Sequence, residues 1–146
     1  MKNKLETVVL AGRSWDTPFW DIKPFVSESG IPIKSFFTEQ ELLAALCSNE
    51  LEPMVIFLSV TCATDMSIVR TICRVRNVVG NLPLVVAVQE NTPELEDETR
   101  RAGVFYYMIL PPVHDEIVQV VRYAVQAARQ LDRLRVEPVL DSRRGH

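Results

Sequence analysis

The sequence is poor in the residues from which simple active sites are built. It has two histidines, His114 and His146, so a cysteine or serine nucleophile would have few partners to act as its base. Its three cysteines, Cys47, Cys62 and Cys73, form no CxxC pair. An odd count without metal-ligand spacing predicts reduced thiols in a cytoplasmic protein. Glycine is scarce, and Leu10 to Ser14 contains only Gly12, so no GxGxxG fingerprint supports dinucleotide binding. No apolar run approaches the roughly 18 residues of a membrane span, and Lys2 and Lys4 precede no long apolar stretch that would make a signal peptide. Positive charge is not in excess either. The formal net charge of -3 argues against nucleic acid as the main partner. There is no internal repeat and no low-complexity linker.

What is present is an alternation of apolar runs and amphipathic segments in a chain of 146 residues, one domain's worth. Thr7 to Ala11, Ile31 to Phe37, Pro53 to Val60, Leu84 to Val88 and Val104 to Ile109 are β-branched or apolar runs of strand length. Thr17 followed by Pro18 signals a helix start, but Pro24 predicts that this first helix is short or kinked before Gly30. Thr38 and Glu41 form a capping box ahead of Leu42, Leu43 and Leu46. Asp65 to Gly80 carries Ile68, Ile72, Val75 and Val79 as one helical stripe. Thr92 and Pro93 start a helix whose apolar stripe is thin, mainly Leu95 and Ala102, and Gly103 closes it. Asp115 to Arg135 is predicted as the last helix, with Ile117, Val121, Ala124, Ala128 and Leu131 spaced by four, three, four and three. Five strands alternating with five helices predict a parallel sheet covered on both faces. The domain is expected over residues 1–136, with 137–146 an unstructured tail.

In such a sheet the functional site lies beyond the carboxyl ends of the strands. The stretch from Arg101 to Ile117 combines Ala102-Gly103, an aromatic strand and Pro111 ahead of an amphipathic helix. That pattern resembles the last third of the CheY-like receiver domain, the phosphoacceptor module of two-component response regulators. The resemblance covers roughly Thr7 to Ala128 and implies the flavodoxin-like strand order 2-1-3-4-5. In receivers the strand ends carry an acidic pair for magnesium, a phosphoacceptor aspartate, a threonine or serine, and a lysine. Here the matching positions are Ala11 and Gly12, Ser59, Val88 and Leu110. Asp16, four residues beyond Gly12, is a poor substitute for the acidic pair. The scaffold positions are kept: Tyr107 stands at the family's switch aromatic and Pro111 at its conserved-geometry proline. The chain therefore resembles a pseudo-receiver that retains the fold and lacks the phosphorylation site. No catalytic residue, metal or cofactor is expected.

The implied function is a cytoplasmic, non-catalytic signalling module that binds another signalling protein. Two alternatives differ in class. One is a sensor of a small molecule in the vacated pocket; the other is a flavodoxin-like enzyme using Cys62 or Ser59. Against the second, Arg70 lies too far from Cys62 for a Cys-x5-Arg loop. Arg70, Arg74 and Arg76 are expected to be solvated helix charges. The last helix continues its apolar spacing through Leu134, and three-four spacing is that of a coiled-coil seam. A homodimer is expected through this helix (Val121, Ala124, Ala128, Leu131) and the face carrying Tyr107 and Pro111.

Overall fold

The computed structural model describes residues 6–12, 30–48, 52–59, 67–109 and 114–144. Five strands, β1 (Glu6–Ala11), β2 (Ile33–Phe36), β3 (Glu52–Ser59), β4 (Leu84–Val88) and β5 (Tyr106–Ile109), pair in parallel in the order β2-β1-β3-β4-β5. Among the described residues there are four helices: α1 (Glu39–Cys47), α2 (Ile68–Val79), α3 (Pro93–Arg101) and α4 (His114–Arg144). The helix expected between Thr17 and Ser29 lies outside the described residues.

Successive strand residues point to opposite faces, and each face builds its own core. On one side Val8, Leu10, Val55, Phe57, Val85, Ala87 and Met108 meet Ile117, Val120, Val121, Ala124 and Ala128 of α4. On the other side Val9, Ala11, Ile56, Leu58, Val86, Val88 and Tyr107 meet Leu42 and Leu46 of α1 and Ile68, Ile72 and Val75 of α2. Leu95 of α3 and Ala102, its C-cap, join this second core at its margin, half-buried. Helices on both faces make the fold doubly wound, as the alternation of runs predicts.

The helix starts are fixed locally. Thr38 Oγ1 accepts from the Glu41 amide at 3.2 Å, and Glu41 Oε1 accepts from the Phe37 amide at 2.9 Å, a reciprocal cap. Thr92 does the same for α3, accepting from Leu95 at 3.0 Å. α2 begins later than Asp65, at Ile68, because Ser67 in extended conformation caps it through the Arg70 amide. Just past the end of α3, Gly103 takes φ 93°, a left-handed turn in which a side chain would be strained. α4 continues to Arg144, past the Arg135 at which the sequence places its end and through the segment from 137 expected to be unstructured. Apolar spacing marks where a helix packs, not where its backbone stops. Pro138 removes one amide donor inside α4 without ending it.

Buried polar ties join the layers. Glu39, 2% exposed, accepts from Thr71 Oγ1 at 2.9 Å and pairs with Arg74 at 2.5 Å, linking α1 to α2. Arg76 donates to the carbonyls of Gly80 at 2.7 Å and Leu82 at 2.6 Å, and also to that of Gly103. Burial pulls its pKa below the ordinary arginine value. Arg74 and Arg76 are therefore structural, unlike the solvated charges expected on this helix.

Thr99 of α3 is fully buried, and among the described residues its Oγ1 has no hydrogen-bond partner. A buried hydroxyl left unmade costs about 1–3 kcal/mol. Replacing it with the isosteric Val (Thr99→Val) should raise stability by about 1 kcal/mol in urea unfolding. A loss of stability would mean that the hydroxyl has a partner in solution.

Candidate functional site

Parallel pairing brings the sequence-predicted strand-end positions to one end of the sheet. Ala11 lies opposite Leu58, Ser59 opposite Ala87, and Val88 opposite Ile109. The Gly12 amide extends the ladder, donating to the Phe36 carbonyl at 2.9 Å. Ala11 and Val88 are fully buried and Ser59 is 1% exposed. Leu110, Pro111, Asp16, Cys62 and Asp65 lie outside the described residues.

The receiver fold implies a divalent cation at this end, which requires several oxygen ligands. Ala11, Gly12 and Val88 supply no side-chain oxygen. Among the described residues no three His, Cys, Asp or Glu side chains gather as a metal site. The described strand ends do not fit the ion. Instead Ala11, Leu58, Val88 and Tyr107 belong to one packed apolar cluster.

Tyr107 sits inside the protein, 3% exposed, so it is part of the core and not of an outer face. Its hydroxyl donates to Asn91 Oδ1 at 2.6 Å, in the turn between β4 and α3. The Arg100 guanidinium lies 5.6 Å from the ring centroid and is itself paired with Glu96 at 2.9 Å. These contacts hold α3, with its thin apolar stripe, against β5. Next to it, the Tyr106 hydroxyl donates to Glu116 Oε2 at 2.5 Å and ties β5 to the first turns of α4. Asn91, Arg100 and Glu116 were not singled out by the sequence, because each is a polar surface residue until the sheet places a tyrosine beside it.

The last helix divides its expected interface in two. Val121, Ala124 and Ala128 are buried against the sheet and are not available to a partner. The stripe of four-three spacing is the packing face of α4. Leu131, at the end of that spacing, is half-buried and lines a groove of about 310 Å³ at the opposite, amino end of the sheet. No described helix is long and apolar enough to cross a membrane.

The hydrogen bond to Glu116, more than burial, raises the pKa of Tyr106, while burial and then the Glu96 charge raise that of Tyr107. Both hydroxyls are favoured in the neutral, donating form, so their stabilisation is complete below the ordinary tyrosine value of 10.0 and is lost as pH rises through the raised values. Unfolding followed against pH should show stability falling above about pH 10, and Tyr106→Phe with Tyr107→Phe should flatten that fall. An unchanged slope in the double variant would remove these two groups as its cause.

No protein-family model matches the chain, and no curated protein matches it. Solved structures do. A CheY-like response regulator receiver domain from Methanospirillum hungatei superposes with a TM-score of 0.71 at 15% identity, over 87% of this chain and 98% of that one. A response regulator from Thermotoga maritima gives 0.68 at 18%, over 84% and 99%. NtrX from Brucella abortus, in complex with ADP, gives 0.74 at 17%, over 97% of this chain but 30% of that longer protein. Identities this low speak for the fold alone. The chain has the five-stranded, doubly wound fold of CheY-like receiver domains.

Proposed function

We propose that the chain is a receiver-like signalling module, resident in the cytoplasm, that acts by binding another protein and does so without phosphorylation or catalysis. The observation that carries this reading is the identity of the residues at the carboxyl end of the sheet. Where receiver chemistry needs metal-binding oxygens, an attacking carboxylate and a hydroxyl, the chain has Ala11, Gly12, Ser59 and Val88. Leu110 follows Ile109 where a lysine would steady the phosphoryl oxygens. A serine does not form an acyl phosphate, and nothing at the neighbouring described positions would polarise phosphorus for it.

Burial supports the same reading against its rivals. Ser59 is closed to a substrate, which speaks against its use as a nucleophile. Ala11, Val88 and Tyr107 fill the strand ends with packed side chains, which speaks against a ligand pocket there. With the chemical input gone, the remaining lever is a partner that binds one arrangement of the surface better than another.

Adding magnesium and beryllofluoride and following backbone amide shifts at Ala11, Ser59, Val88 and Tyr107 tests the proposal. The expected outcome is no saturable change. Saturable shifts centred on these residues would overturn it, and Asp16 and Asp65 would then be the first positions to mutate.

A further inference from the structure

We infer that the groove at the amino end of the sheet binds a small carboxylate with an apolar body, held through Arg76. The inference goes beyond the binding-module reading and adds a ligand site at the end of the sheet opposite the receiver positions. The groove has a volume of about 310 Å³, at the small end of the range for ligand pockets (roughly 300–1,000 Å³). Leu82, Val104, Phe105 and Leu131 give it an apolar wall, with Arg76 and Gln130 as polar members. Phe105 is 41% exposed, a large aromatic surface left in water.

Arg76 carries a charge that the described protein does not match. The carbonyls of Gly80, Leu82 and Gly103 accept from three of its five N–H groups. Among the described residues nothing else accepts from it, and no carboxylate pairs with it. Arg74, Arg100 and Arg101 differ in this respect, since Glu39, Glu96 and Asp97 face them. Burial lowers the Arg76 pKa, and no neighbouring acid opposes the shift. Carbonyl dipoles satisfy donors without cancelling a charge. A half-buried cation in that position is stabilised by an anion brought into the groove.

The chemistry of the groove selects the kind of anion. Among the described residues no other charged side chain lines it, so a single negative charge is the match. A planar carboxylate suits a guanidinium, which can donate two parallel hydrogen bonds to it. The remaining wall is apolar, so the rest of the ligand is an aryl or branched alkyl group that covers Phe105 and Leu131. An inorganic anion would leave that wall in water. A ligand seated here touches α2, the turns into β4 and β5, and α4 together.

The test adds phenylacetate to the full chain and follows backbone amide shifts. The expected result is saturable change centred on Leu82, Gly103, Phe105 and Leu131, with a Kd on the order of 1 mM. Phenylacetamide, similar in shape but uncharged, should bind about tenfold more weakly or worse, and acetate should not saturate. Replacing Arg76 itself would loosen the turns it holds, so the charge is tested on the exposed Gln130. Gln130→Glu brings a carboxylate to the groove and should weaken phenylacetate severalfold, as should Phe105→Ala, which removes part of the wall. No saturable change, change centred elsewhere, equal binding of acid and amide, acetate as tight as phenylacetate, or indifference to either substitution would overturn the inference. Such a failure would leave the phosphorylation-independent reading standing, since that reading answers to beryllofluoride at the other end of the sheet.

Discussion

Burial of the sheet on both faces governs the rest of this molecule. From Met54 to Ser59 of β3 and from Leu84 to Val88 of β4 every residue is buried, so along these stretches no position meets water. Each fully buried Val, Leu, Ile or Phe contributes about 1.5–3 kcal/mol relative to exposure, as an upper estimate. A charge at such a site would need a partner or a metal to offset its desolvation. Receivers meet that cost at the strand ends because the charges do chemistry. Here Ala11 and Val88 extend the core to the strand ends, on either side of the buried Ser59.

Polar groups are confined to the margins, where they fix how the helices sit. Glu39 joins α1 to α2 through Thr71 and Arg74; Arg76 gathers the carbonyls around the turns into β4 and β5. The Arg74–Glu39 pair is half in water on the arginine side, so it contributes less than a fully buried pair. Its stronger effect is negative: a carboxylate as buried as Glu39 would be costly without these donors. For Arg76 the carbonyl hydrogen bonds oppose the desolvation that lowers its pKa. The tyrosines of β5 belong to the same class of device, with Asn91 and Glu116 accepting from hydroxyls that burial alone would leave unpaired.

The strands were legible in the sequence because parallel strands buried on both faces leave continuous apolar runs, and β1, β3, β4 and β5 all fall within or beside the predicted runs. Caps at Thr38 and Thr92 were legible because their chemistry is local. The strand-end positions followed from counting along those runs, which the pairing register brings together at one end. Long-range polar contacts left no such trace. Arg76 meets Gly103 across 27 positions, and no periodicity connects them. The face of α4 misled for a related reason: four-three spacing is common to a coiled-coil seam and to a helix seated on a sheet. Only the sheet decides between them.

That distinction also separates where this fold is closed from where it is open. At the carboxyl end of the sheet Ala11, Val88 and Tyr107 are buried in one cluster, and Tyr107 is held in by Asn91 and Arg100. At the β5 edge, Phe105, Ile109 and Tyr123 are each more than two-fifths exposed. This surface adjoins the short edge strand β5 and α4, while Phe37 after β2 and Val78 of α2 are exposed elsewhere. Tyr106–Glu116 and Tyr107–Asn91 tie this edge to α4 and to the turn before α3, polar contacts set on a closely packed apolar block.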